Sequence, residues 1–346
     1  MKTKIYLLTE ESGFFGQQMA PWESMDVARL RTQLEQSLDV EQVTYEDVAC
    51  GRVQIREATV LHSSSQQPEY KAYIDDVLLY LHGLRNVLIP SIHMTRSHEN
   101  KGYQELHRRL AGLPSLPSVY LAKRSAISEG QMRLPAVYKD LAGFGSGGVR
   151  LIETAAMLDQ AARPDRVISL ALLPRMIRRY IGNGIRRVMF NRRNLRPFGD
   201  YYKPLKRFVL QQFVPGATCD YKVLIFRNSA FVLRREVRDD DFRASGSGKF
   251  RFVEPSTDLL DYAKSVLDRF REPYLSLDIV QHGTTFHLLE FQGVHFGPYT
   301  VTKSPFHYEL INGQWLKVSG EACLEDEVAR AAKDFIGRNS SISNAA

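Results

Sequence analysis

The segment LSLDIVQHGTTFHLLEFQG, residues 275–293, decides the fold. It reads as two strands joined around His282–Thr284. Glu290 and Gln292 lie two residues apart, and strand side chains two apart share a face. A three-residue loop at 282–284 sets Asp278 opposite Leu288, diagonal to Glu290 on that face. Three hard oxygen donors then converge, a set that suits magnesium held between protein and phosphates. The plainer alternative makes Asp278 and Glu290 polar members of a half-exposed sheet. Against it, Glu290 interrupts the apolar run FHLLEFQ, where an inward unpaired carboxylate is costly.

Upstream, DYKVLIF (220–226) and AFVLRREV (230–237) read as hydrogen-bonded strands, followed by DFRASGSGKF (241–250). Lys222, Arg234, Arg235 and Arg243 could bring positive charge to the carboxylates, and the loop Ser245–Gly248 could accommodate an anion. Basic residues alternating along a strand are equally the mark of a solvated face. Residues 208–320 together read as an antiparallel sheet with one long helix near Asp258–Phe270.

A glycine loop, GFGSGG (143–148), is flanked by LPAVYK and VRLIE. It fits GxGxxG at Gly143, Gly145 and Gly148. A dinucleotide fold places that pattern between a strand and a helix. Here both flanks read as strands, so the loop is a hairpin whose backbone N–H groups can close over phosphates, or a simple turn. No Gly-Lys-Ser/Thr follows, which excludes a P-loop. No catalytic-loop or Asp-Phe-Gly signature appears, which argues against a protein kinase. After the hairpin, Thr154 is placed to cap a helix running to Ala162.

Residues 1–100 alternate strand and helix signals. Strands are expected at Lys4–Thr9, Val40–Tyr45, Thr59–His62 and within Val87–Ile92. Helices are expected over Met25–Ser37, from the spacing of Val27, Leu30 and Leu34, and over Tyr70–Leu84. Such alternation predicts a small parallel α/β domain.

Composition sets the outer bounds. The 346 residues carry 46 Lys and Arg against 39 Asp and Glu, a net charge of +7, with 44% hydrophobic and 25% charged residues. That balance excludes disorder for most of the chain, and the length predicts two or three subdomains. No apolar run approaches the roughly 20 residues that span a bilayer. The opening MKTKIYLLTEESGFFG meets Glu10 and Glu11 too soon for a secretory signal. Cys50, Cys219 and Cys323 lie far apart without a CxxC pair, which argues against a disulfide scaffold or structural zinc and points to the cytoplasm. The histidines show no metal spacing. His295, in QGVHFGP, either touches substrate or orders a turn.

The basic charge is concentrated. Residues 175–207 hold eleven Lys or Arg against one acid, Asp200, with Tyr180, Phe190, Phe198, Tyr201 and Tyr202 interleaved. This block fits a loop beside the active site that meets an anionic substrate, or contact with an acidic glycan or an anionic membrane surface. Nucleic acid fits least, since no nucleic-acid-binding signature accompanies the charge.

The order of these features, from a lysine through the strand–lysine–glycine hairpin, an apolar hinge and basic strands to Asp…Glu-x-amide, resembles the ATP-grasp superfamily over roughly residues 75–320. The resemblance implies a mixed α/β (α+β) chain: an N-terminal α/β domain over 1–100, subdomains over 101–207 and 208–325 that grip ATP, and a C-terminal helix and tail over 326–346. Lys101 and Lys139 stand where the superfamily has its nucleotide-contacting lysines, and Gly145, Ser146 and Gly147 form the phosphate lid. QQFVPG (211–216) is similar to the adenine hinge, with Gln212, Phe213 and Val214 at its backbone. Asp220 and Lys222 occupy the polar pair near the nucleotide. Arg243 occupies the place of the arginine at the transferring phosphate. Asp278, Glu290 and Gln292 match the metal ligands.

There are departures. Gln292 replaces the usual Asn, Gln212 stands where an acid is commoner, and the basic block has no counterpart. IPSIHMTRSHENKGY and RASGSGKF look most like the ATP-grasp group associated with bacterial surface-polysaccharide synthesis.

The resemblance implies ATP and two Mg2+ ions, with Mn2+ as a substitute. It implies an ADP-forming ligase that joins a small or glycan-linked carboxylate to an amine through an acyl phosphate. Alternatives are a kinase acting on a sugar or polyol hydroxyl, or a degenerate grasp protein that binds a polyanion. A homodimer is the default assembly, and contact with the inner face of the membrane is the alternative to a free cytoplasmic state.

Overall fold

The computed structural model describes residues 2–127, 132–143, 147–164, 177, 178, 181, 205–239 and 241–343. The chain divides into two compact units, one formed by Met1–Pro117, Leu141–Gly148 and Val214–Ala346, the other by Ser118–Asp140 and Val149–Phe213. Among the described residues no helix is long and apolar enough to cross a membrane.

The first unit opens with β1 (Thr3–Thr9), α1 (Val27–Glu35), β2 (Leu38–Thr44), α2 (Tyr45–Ala49), β3 (Thr59–Leu61), α3 (Pro68–Gly83) and β4 (Val87–Ile89). The four strands pair in parallel in the order β2-β1-β3-β4, as the strand–helix alternation predicts. Helices on its faces bury β1 on both sides, so Ile5, Leu7 and Leu8 are all fully buried and the strand reads as a nearly continuous apolar run. Tyr45, expected to end β2, instead opens α2. The Thr44 side chain accepts from Asp47 N and the Asp47 carboxylate accepts from Thr44 N, a capping box that stops the strand.

Two helices follow, α4 (Ile92–Ser97) and α5 (Lys101–Leu110). The second unit contains β5 (Ser118–Leu121), β6 (Ala136–Asp140), β7 (Val149–Ile152), α6 (Ala155–Ala161) and β8 (Phe208–Gln212). Its strands pair antiparallel in the order β5-β8-β6-β7. Thr154 caps α6 by accepting from Met157 N, as expected.

The first unit resumes with β9 (Cys219–Phe226), β10 (Ser229–Glu236), β11 (Phe250–Phe252), α7 (Thr257–Phe270), β12 (Tyr274–His282) and β13 (Thr285–Gln292). It ends with α8 (Tyr299–Thr302), β14 (Phe306–Ile311), β15 (Gln314–Ser319) and α9 (Leu324–Ser343). The large antiparallel sheet runs β13-β12-β9-β10-β14-β15, with β11 added on β10. α7 covers one face. Its Leu259, Leu260, Ala263, Val266, Leu267 and Phe270 form one cluster with Val223, Leu277 and Ile279. Full burial of each large side chain stabilises by about 1.5–3 kcal/mol.

The opposite face is divided. At one end Leu224, Phe226, Phe231 and Tyr274 pack into a cluster with Ile5 and Leu7 of β1 and Val328 and Ala332 of α9. At the other end the same alternation presents Asp220 and Lys222 of β9, Arg235 of β10, Asp278 of β12, and Glu290 and Gln292 of β13. The parallel domain and α9 thus seal the apolar half of the face, and the polar half is the candidate site.

Candidate functional site

The β12–β13 hairpin sets the site's register. His282 pairs with Thr285, so the turn has two residues rather than the three expected. Gly283, at φ +59°, takes the first turn position, where a type II′ turn favours glycine. The ladder runs to Ile279–Leu288 and then slips: Asp278 pairs with Glu290, Leu277 with Phe291 and Ser276 with Gln292. Leu289 is left over as a bulge. Asp278 therefore stands directly across from Glu290, not across from Leu288. Directly opposed residues are the closest cross-strand neighbours, so the two positions are nearer than a diagonal pair.

Two anions facing each other need cations, and each has one. Arg235 Nη2 lies 3.0 Å from Asp278 Oδ2. The same guanidinium donates from Nε and Nη2 to the two oxygens of Asp220, at 2.6 and 2.9 Å. Arg235 thus bridges two carboxylates on neighbouring strands. Burial opposes its charge, but Asp278 and Asp220 outweigh burial and its pKa is raised. Burial pushes the Asp220 carboxyl up, against the pull of Arg235. Lys222 pairs in register with Asp278. Burial lowers its pKa, while Asp278 and Glu290 favour its charged form.

Lys101 serves Glu290. Its side chain is only 8% exposed, and Nζ lies 3.7 Å from Glu290 Oε1. Nζ also donates to the Gly143 carbonyl at 2.9 Å. Two further bonds tie the start of the glycine loop to this segment: Lys101 N donates to Leu141 O at 3.0 Å, and Gly143 N donates to Glu99 Oε2 at 3.1 Å. Glu99 has φ +52°, a conformation uncommon for a non-glycine residue. One lysine therefore joins the loop to the carboxylate strand.

The other expected residues fall as follows. Arg243 is paired with Asp241, Nη2 to Oδ2 at 2.6 Å. Lys139 is a buried residue of β6 and pairs in register with Val149 and Val209 on either side. Gln212 ends β8, and the chain passes from the second unit to the first between Phe213 and Val214. Gly147 meets Gly143, where an added Cβ would lie 3.0 Å from Gly147 O. Gly145 and Ser146 lie outside the described residues, as does the basic block 175–207 apart from residues 177, 178, 181 and 205–207. Of these, Lys206 lies 3.6 Å from Asp140 and Arg207 Nη1 donates to Tyr120 Oη at 3.4 Å.

The structure brings Asp220, Lys222, Asp278, Glu290, Gln292 and Lys101 to one end of one sheet face. It adds Glu99 and gives Arg235 the central place. Strand alternation distinguishes Arg235 from Arg234: Arg235 pairs in register with Asp220, whereas Arg234 pairs with Glu236. Glu99 had no signal beyond its place beside Asn100, the α5 cap.

The donor set fits a hard divalent cation. Two opposed carboxylates and an amide two residues on are all oxygen donors. Among the described residues no group of three or more His, Cys, Asp or Glu is arranged to hold a metal. The chain thus offers two carboxylates, and a cation held there would need further oxygen donors, of the kind phosphates and water give magnesium.

No protein-family model matches the sequence. No curated protein matches it either. Solved structures do. D-alanine–D-alanine ligase from Bacillus anthracis, complexed with ATP, is 11% identical over 99% of each chain with a TM-score of 0.50. The ATP-grasp ligase PsnB, in complex with a phosphomimetic variant of its minimal precursor, Mg and ADP, is 14% identical over 97% of this chain and 99% of its own, with a TM-score of 0.51. Likeness at such identity is likeness of fold. The chain has the ATP-grasp fold.

Proposed function

We propose that this chain is an ATP-dependent, ADP-forming ligase that joins a carboxylate to an amine. The observation that carries the reading is the opposed pair Asp278 and Glu290, on the polar half of the sheet face, with Lys101 tying Glu290 to the glycine loop. Asp278, Glu290 and Gln292 would hold magnesium, which when bound neutralises the β- and γ-phosphates. Phosphoryl transfer asks little covalent help of a protein and much positioning and charge.

In this reading Lys101 and Lys139 neutralise the nucleotide phosphates. The backbone of Gln212, Phe213 and Val214 receives adenine, and Lys222 sits at the nucleotide beside Asp220. A substrate carboxylate oxygen attacks the γ-phosphorus and ADP leaves. The amine nitrogen then attacks the acyl carbon, loses a proton, and inorganic phosphate leaves. Arg243 stabilises the acyl phosphate and the oxyanion that follows. The loop around Gly145, Ser146 and Gly147 excludes water from the acyl phosphate. The acid is a small molecule or glycan-linked, and the basic block 175–207 is assigned to an anionic substrate or membrane surface.

Stoichiometry tests the reaction type. Incubated with ATP, magnesium and a panel of acids and amines, the protein is expected to release ADP and free phosphate in equal amounts with the amide. A phosphorylated acceptor without free phosphate would make it a kinase instead.

A further inference from the structure

The face that Glu290 occupies depends on one extra residue. From the turn to Ile279–Leu288 the ladder is regular. Continued without a slip, it would set Leu289 opposite Asp278 and Glu290 opposite Leu277. Leu277 points into the apolar cluster under α7, so Glu290 and Gln292 would be driven into the core. A one-residue slip moves every later side chain to the other face. The Leu289 bulge performs that slip.

A bulge on an edge strand leaves backbone polar groups to be satisfied, and β13 is the edge of its sheet. α5 lies along that edge. Its Arg108, 1% exposed and among the largest fully buried side chains, donates from Nη2 to the Leu289 carbonyl at 2.8 Å. Its other neighbours hold it there. Glu105 Oε1 lies 3.4 Å from Nη1, and the guanidinium carbon sits 5.8 Å from the centre of the Phe291 ring, two residues beyond the bulge. Arginine is almost never fully buried unless paired, and here a buried guanidinium is aimed at the one carbonyl that marks the slip.

We infer that Arg108 is a positioning residue that locks the Leu289 bulge and so holds Glu290 and Gln292 on the face of Asp278. This rests on the reading of those three residues as metal ligands. Arg108 itself touches neither metal nor nucleotide in that reading; it acts through the backbone of β13.

The test is a double-mutant cycle on the full chain. R108M keeps the bulk and removes the donor. Deleting Leu289 removes the bulge yet still leaves Glu290 opposite Asp278, in a regular ladder. Mn2+ binding to the nucleotide complex, read by electron paramagnetic resonance, is expected to weaken about 10-fold in R108M, the lower end for residues that orient metal ligands. Nucleotide affinity without metal is expected to stay unchanged. In the Leu289-deleted chain, R108M is expected to cost nothing further. Hydrogen exchange without nucleotide or metal gives a second readout: the Glu290–Gln292 amides should exchange faster in R108M than in wild type.

Equal weakening by R108M with and without Leu289, or unchanged metal binding and exchange in R108M, would overturn the role. A wild-type protein that binds nucleotide without any metal dependence would instead sink the ligand reading, and this role with it.

Discussion

Two helices, α5 and α7, pack against the same sheet and do opposite things. α7 buries Leu259, Leu260, Ala263, Val266, Leu267 and Phe270. α5 buries Lys101, Gln104, Glu105, His107 and Arg108, while its Leu106 and Leu110 are exposed at 43% and 66%. α7 is held by apolar area and stabilises the sheet. α5 is held by directed contacts: Lys101 reaches Glu290 and Gly143 and Arg108 reaches the Leu289 carbonyl, while Gln104 and His107 meet Ser97 at the end of α4. Inversion of the usual pattern in one helix, beside a normal neighbour, marks where stability is exchanged for placement of charge.

Crossing the two helices separates these jobs. Lys101→Met is expected to lower ADP formation by about 10²–10³-fold, the range for losing one electrostatic stabiliser, with a melting temperature near wild type. A large fall in melting temperature with turnover intact would invert the comparison. Leu267→Ala should do the converse, costing about 2–5 kcal/mol in denaturant unfolding, with the magnesium dependence of nucleotide binding unchanged in the folded protein.

A subtler contrast lies where α7 hands over to β12. Glu272 is buried there and accepts from Ser91 N, at the cap of α4, at 3.2 Å from each carboxylate oxygen. Burial raises its pKa from 4.5 to about 7. An acid raised on folding stabilises below its unfolded pKa and loses that contribution as pH rises to its folded value. Wild-type stability is therefore expected to fall between pH 4.5 and about 7 through this group, and Glu272→Gln should flatten that part of the profile. An unchanged slope would show that folding leaves the Glu272 pKa where it is in the unfolded chain. The smallest effect is expected at Leu106→Gln on the exposed side of α5, within about 0.5 kcal/mol, since exposure there makes its apolarity incidental.

The same contrast explains what the sequence shows and what it hides. α7 is legible because its apolar spacing follows the helical period, and β1–β4 because strands and helices alternate. α5 has no apolar stripe to read, since the residues it buries are the types that usually face water. The β12–β13 strands are legible, and so are Asp278, Glu290 and Gln292 as members of one face. Their pairing is not. The run FHLLEFQ holds the clue: Phe286 and Leu288 face the core, then Phe291, and the change of phase at Leu288–Leu289 is the bulge. The shorter turn and the bulge each move the register one residue in the same direction, and a shift of two keeps the face, so the face survives an error in the pairing. The polar cluster also holds a pairing that the sequence hides. Asp220 meets Arg235 with both oxygens, an arrangement that the pairing of β9 with β10 brings about.

The opposed carboxylates on β12 and β13 are proposed to make a magnesium–nucleotide site. Calorimetric titration of ATP, with and without magnesium, into wild type and Glu290→Ala tests it directly. Wild type is expected to bind ATP tightly and in a magnesium-dependent way, and a folded Glu290→Ala protein more weakly. Equal binding in both proteins, or heats that do not respond to magnesium, would contradict it.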